Sequence, residues 1–130
     1  MIAFTIPGEA VPWARAGGKG KVRFTPKKQA SFMGVLKLFG ERAMAGRPPL
    51  SGAIEMKVAA VYAKPASWSR KKAAETSWKT SRPDADNLSK IVADALNSLV
   101  FLDDAQVASL HVWKTYGPQA QLRVEVREIA

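Results

Sequence analysis

Between Leu88 and Leu99 the apolar residues Leu88, Ile91, Val92, Ala95, Leu96 and Leu99 recur at the spacing of one helical face. Asn87, Lys90 and Asp94 fall on the other face. A helix with one apolar face must bury it against another apolar surface, and the rest of the chain offers strands for that purpose. Ile54, Met56, Val58, Ala60 and Tyr62 alternate with Glu55, Lys57, Ala59 and Val61, which predicts a central strand with one better-buried face. Ile2, Phe4 and Ile6 alternate with Ala3 and Thr5 in the same way.

The remaining punctuation completes an α+β pattern. Pro7, Gly8 and Pro12 end the first strand, and Trp13 to Lys21 reads as an exposed loop leading to a short strand at Val22 to Phe24. Thr25 as N-cap and Pro26 as first helical residue predict a helix carrying Phe32, Val35, Leu36, Phe39 and Ala43 inward. Gly46, Pro48 and Pro49 end it. Residues 64–82 turn basic and polar, with room for a short helix near Ser67 to Glu75 inside a long loop expected to be mobile. Two strands close the chain, Gln106 to Tyr116 and Gln121 to Glu128, with Gly117-Pro118 turning between them. The expectation is a single domain over residues 1–130 with a mixed β-sheet, two main helices, and basic loops at about 13–21 and 64–82.

Composition narrows the chemistry. The chain has no cysteine and one histidine, His111, so thiolate sites, cysteine nucleophiles and multi-histidine centres within one subunit are excluded. Any metal must rest on oxygen ligands, which favours magnesium, manganese or calcium. No apolar run approaches the ~20 residues of a membrane helix, so a soluble, cytoplasmic, nucleoid-associated protein without a membrane partner is expected. Residues 1–83 hold 16 Lys and Arg against 4 Asp and Glu, while residues 84–130 hold 4 against 7. A net charge of +9 points to a polyanion such as nucleic acid. In so basic a chain, Asp84, Asp86, Asp94, Asp103 and Asp104 within 21 residues need a reason, and a bound cation supplies one.

Pro83 biases Arg82 toward extended backbone, and Asp86 reads as the N-cap of the helix that follows. Asp84 and Asp86 would then be the last extended residues, with side chains on one side, and a third carboxylate from the next strand could complete an open cation site. Lys90, one helical turn later, would point to the same end and could hold a carboxylate or stabilise phosphoryl charge. Ordinary capping by Asp86, with Lys90 paired to Asp86 or Asp94, accounts for the same spacing. A calcium loop of the EF-hand type does not, since Ser89 and Ala95 stand where it needs glycine and glutamate. An aspartyl-phosphate site is disfavoured because a basic loop, not a buried strand, precedes Asp84.

The run Arg82-Pro83-Asp84-Ala85-Asp86-Asn87-Leu88-Ser89-Lys90, then Asp94-Ala95-Leu96-Asn97, then Phe101-Leu102-Asp103-Asp104-Ala105-Gln106-Val107 resembles the RusA Holliday junction resolvases, small endonucleases common in prophages. Ile6-Pro7-Gly8 and Thr25-Pro26-Lys27-Lys28 fit the same family more loosely. The resemblance implies homodimers with a mixed sheet that resolve a four-way DNA junction by two symmetric nicks. It implies that Asp84, Asp86 and Asp104 bind magnesium, with manganese as a substitute and no organic cofactor. It implies that Lys90 is the catalytic lysine and that Asn87 and Asp103 support it.

Such chemistry needs no protein nucleophile. Lys19, Lys21, Arg23, Lys27, Lys28, Arg70, Lys71, Lys72, Lys79 and Arg82 are the candidate phosphate contacts, spread so as to read backbone shape over base sequence. Trp68 and Trp78 either stack on unpaired bases or cover the core, Trp113 reads as strand packing, and His111 has no assigned role. Two alternatives stay open: a nuclease for flaps, forks or other branched DNA, and a non-catalytic DNA-binding module whose aspartates only cap a helix.

Overall fold

A computed structural model describes residues 1–14 and 27–130. In chain order it forms β1 (Ile2–Pro7), α1 (Lys27–Met44), β2 (Ala53–Ala63), α2 (Arg70–Glu75), α3 (Ala85–Leu96), a 3-10 turn (Asp104–Gln106), β3 (Val107–Gly117) and β4 (Gln121–Ile129). This is an α+β fold with three α-helices among the described residues, two of them long. The short strand expected at Val22 to Phe24, the cap at Thr25-Pro26 and most of the first basic loop lie outside the described residues.

The four strands make one mixed sheet in the order β1-β4-β2-β3. β2 is central, as its alternation requires: Ile54, Met56, Val58, Ala60 and Tyr62 are buried while the residues between them are half-buried. It pairs antiparallel with β4 and parallel with β3. The parallel step needs a long crossover, which α2 and α3 provide. β3 and β4 follow one another across Gly117-Pro118 but do not pair, because β2 lies between them.

α1 and α3 cover the sheet face that carries Ile2, Phe4, Ile6, Leu122, Val124 and Val126, and these join them in one core. The helices meet where α1 has no side chain: a Cβ on Gly40 would stand 2.8 Å from Leu96 Cδ2. The buried stripe of α1 runs Gln29, Phe32, Leu36, Gly40 and Met44. Val35, expected inward, is exposed instead, because at helical spacing it falls well to the side of that stripe. The opposite sheet face bears a polar network in which Arg127 Nε donates to Glu55 Oε1 at 2.8 Å. That hydrogen bond, with the Arg127 and Lys57 charges, holds the Glu55 carboxyl below its usual range against partial desolvation.

Candidate active site at the start of α3

The chain reaches α3 through Ser81 to Pro83, and Lys114 on β3 fixes that approach. Lys114 Nζ donates to the carbonyls of Ser81 at 2.9 Å and Pro83 at 2.7 Å. Charge-assisted bonds of this length are strong, and here they hold the backbone immediately before Asp84 to the sheet. The same segment adds a short pairing, with Trp78 opposite Thr115 and the Lys79 N–H donating to the Lys114 carbonyl at 2.9 Å.

Asp84, not Asp86, is the N-cap: it has extended backbone (φ −71°, ψ 144°), and the helix begins at Ala85. The expectation that both aspartates lie on extended chain with parallel side chains is corrected accordingly. The reason is local: the Asp84 carbonyl accepts from the Asn87 and Leu88 N–H groups at 3.1 and 3.3 Å, which leaves Asp86 in the first helical turn, where its Oδ1 accepts from the Asn87 N–H at 3.0 Å. Although Asp84 occupies the cap position, its carboxylate makes no capping hydrogen bond. Both side chains are exposed at the helix end, where the N–H dipoles favour negative charge.

The second acidic element is held with equal care. Phe101 is fully buried and bridges to Leu50, and Leu102 N–H donates to the Leu50 carbonyl at 3.2 Å. Gln106 then clamps the turn from its other end. Its Oε1 accepts from the Asp103 N–H at 2.8 Å, and its Nε2 donates to the carbonyls of Leu50 and Gly52 at 3.0 and 2.9 Å. Asp103 and Asp104 are thereby presented outward on a rigid turn.

Two recesses border α3, one at its start and one along its middle. One of about 450 Å³ is lined by Glu9, Trp13, Arg82, Pro83, Asp84 and Asn87 among others. The other, about 280 Å³, has an apolar floor including Met56 and Leu110 and a charged rim of Lys90, Asp94 and Asp104. Lys90 pairs with Asp94 at 3.8 Å. Asp104 has its carboxyl pushed above the usual range, first by partial desolvation, then by a hydrogen bond and charge from Asp103 and the charge of Asp94, with Lys90 opposing.

Asp84 therefore lines one recess and Asp104 the other. Among the described residues no three His, Cys, Asp or Glu side chains form a group able to hold a metal ion. The donor chemistry fits a hard cation nonetheless. Asp84, Asp86 and Asp104 offer carboxylate oxygens, the donor type that magnesium takes, and magnesium is commonly held by one or two carboxylates with substrate phosphate and water completing its shell.

Of the candidate phosphate contacts, Lys19, Lys21 and Arg23 lie outside the described residues. Lys27 and Lys28 open α1, Arg70, Lys71 and Lys72 form α2, and all five are exposed. Arg82 lines the recess with Asp84. Lys79 is engaged internally: it lies over the Tyr62 and Tyr116 rings at 4.9 and 5.2 Å and donates to Ser81 Oγ at 3.0 Å.

Trp68 packs edge-on against Tyr116 at 4.7 Å, so it anchors the basic segment, whereas Trp78 is 62% exposed. His111 sits on β3 beside Trp113, with its ring 3.2 Å from Ser109 Oγ, and belongs to neither recess. The sequence reading missed Lys114, Gln106 as a clamp, and Trp13, whose ring lies 4.8 Å from Lys90 Nζ. Only Gln106 carried a signal, as part of the motif around Asp103 and Asp104.

A family model described as endodeoxyribonuclease RusA matches residues 7–127. The chain is 36% identical over 141 residues to the uncharacterized protein YqaN of Bacillus subtilis strain 168, covering 99% of this chain and 97% of that protein. It is also 38% identical over 53 residues to the crossover junction endodeoxyribonuclease rusA of Lactococcus phage r1t, a match spanning 40% of each chain.

Proposed function

The chain belongs to the RusA endodeoxyribonuclease family, and from that membership we propose that it is a magnesium-dependent endonuclease that resolves four-way DNA junctions by paired nicks. The observation that carries this reading is the family match over residues 7–127, which spans the whole segment that holds Asp84, Asp86, Lys90 and Asp104. Asp84, Asp86 and Asp104 would hold the cation together with substrate phosphate. When bound, the ion would activate water and offset charge on the leaving oxygen.

The protein's own groups do the rest. The N-terminus of α3 and Lys90 place positive charge where a phosphodiester gains negative charge. Asp103 supports the turn, and Asn87 lines the recess beside Asp84. Lys27, Lys28, Arg70, Lys71, Lys72 and Arg82 offer charge to the backbone of the junction arms.

A two-fold dimer would present two such sites to two strands. Consistent with a partner along the edge of β3, only its 114–116 end is paired outward among the described residues, while Leu110 and Trp113 stand exposed farther along. Asp86→Asn tests the active site. Junction binding is expected to persist with cleavage abolished, and the fold is expected to hold because the asparagine Oδ1 can still accept from the Asn87 N–H. A variant that still cuts removes Asp86 from the mechanism.

A further inference from the structure

Lys90 lines the Asp104 recess, and its position is not left to a free side chain. Its ammonium lies 4.8 Å from the centre of the Trp13 ring and 3.8 Å from Asp94 Oδ2. Trp13 is itself fixed through the backbone. Its N–H donates to the Asn87 carbonyl of α3 at 3.0 Å, and the next N–H, of Ala14, donates to Oε1 of the buried Gln29 on α1 at 2.9 Å. Two consecutive amides thus tie the segment to both long helices, and the half-buried indole is delivered onto Lys90.

We propose that Trp13 and Asp94 are positioning residues that hold the Lys90 ammonium on the rim of the Asp104 recess, beside the indole that lines the Asp84 recess. Neither contact is strong on an exposed side chain: Lys90 is 48% exposed, and single surface ion pairs and cation–π contacts are weak. Together they restrict a four-carbon stem that would otherwise sample many rotamers. An ammonium held in place reaches the developing phosphoryl charge without first having to be ordered. The inference rests on the nuclease reading for its consequence but not for its geometry. Since Trp13 also borders the recess that holds Asp84 and Arg82, a DNA-stacking role for the same ring must be separated from it.

Two measurements do so. In proton–carbon spectra of the full chain, the Lys90 ε-methylene resonance is expected upfield from ring current, returning to the ordinary lysine position in Trp13→Leu but not in Trp13→Phe. Its absence in the wild type overturns the clamp. In single-turnover cleavage of a four-way junction, Trp13→Leu and Asp94→Asn are each expected to lose roughly tenfold in rate with junction affinity unchanged, while Trp13→Phe stays within about threefold of wild type.

An affinity loss matching the rate loss would make Trp13 a DNA contact. Equal rates for Leu and Phe would make it packing alone, and either result overturns the proposal. Melting temperatures taken alongside identify a variant that fails to fold, for which the Phe form and Asp94→Asn still decide. A wild type that cuts nothing overturns the nuclease reading and the catalytic role together, leaving the ring-current shift to report the clamp.

Discussion

Partial desolvation, then a hydrogen bond and charge from Asp103 and the charge of Asp94, push the Asp104 carboxyl up, with Lys90 opposing them. Folding raises its pKa, so the folded chain binds that proton more tightly than the unfolded chain does. The side chain therefore favours folding below its unfolded pKa, and that contribution is lost as pH rises through the raised value. At neutral pH, without a cation, the ionised form is a net cost. Asp104→Asn is expected to raise the melting temperature in chelator slightly, on the order of 1 °C, while abolishing cleavage. A lower melting temperature for the variant would mean that Asp104 is a structural residue rather than a waiting ligand.

At the level of elements, Lys114 joins strand and site. Lys114→Met keeps the aliphatic stem but removes both bonds to the Ser81 and Pro83 carbonyls, which lie directly before Asp84. Cleavage is expected to fall by more than tenfold, with a stability loss of about 1–3 kcal/mol by thermal unfolding. Unchanged cleavage would show that the approach to α3 is held by other contacts.

This residue also marks where sequence reading stopped. Periodicity is local, so the buried faces of β2 and α3 were legible from alternation and helical spacing. The motif placed Asp103, Asp104 and Gln106 next to one another for the same reason. Strand pairing is long-range, so the parallel alignment of β2 with β3, and with it the reach of Lys114 to Pro83, left no pattern in the chain. The cap lies at Asp84 and not Asp86 although both aspartates carry the same signal, because the first helical bonds run to the Asp84 carbonyl. Trp13 reached Lys90 through two backbone bonds that no spacing encodes.

Across the whole molecule, the acidic start of α3 is set in a basic surface. Among the described residues Arg70 and Lys71 of α2 form no ion pair, and Lys72 lies over Trp68 at 4.8 Å. Changing all three to alanine is expected to weaken junction binding and to flatten the log–log salt dependence by roughly 0.9 for each phosphate that is no longer neutralised. An unchanged slope in fluorescence anisotropy titrations would mean that α2 faces away from DNA. No helix among the described residues is long and apolar enough to cross a membrane.

The most direct measurement is cleavage of a labelled mobile four-way junction beside a linear duplex of the same sequence, each with magnesium and with chelator. Paired symmetric nicks on the junction alone, abolished by chelator, are expected of a resolvase. Nicks on flaps and forks as readily as on the four-way junction would widen the substrate class. Binding without cutting, whether magnesium or manganese is supplied, would contradict the enzyme and leave a DNA-binding module in its place.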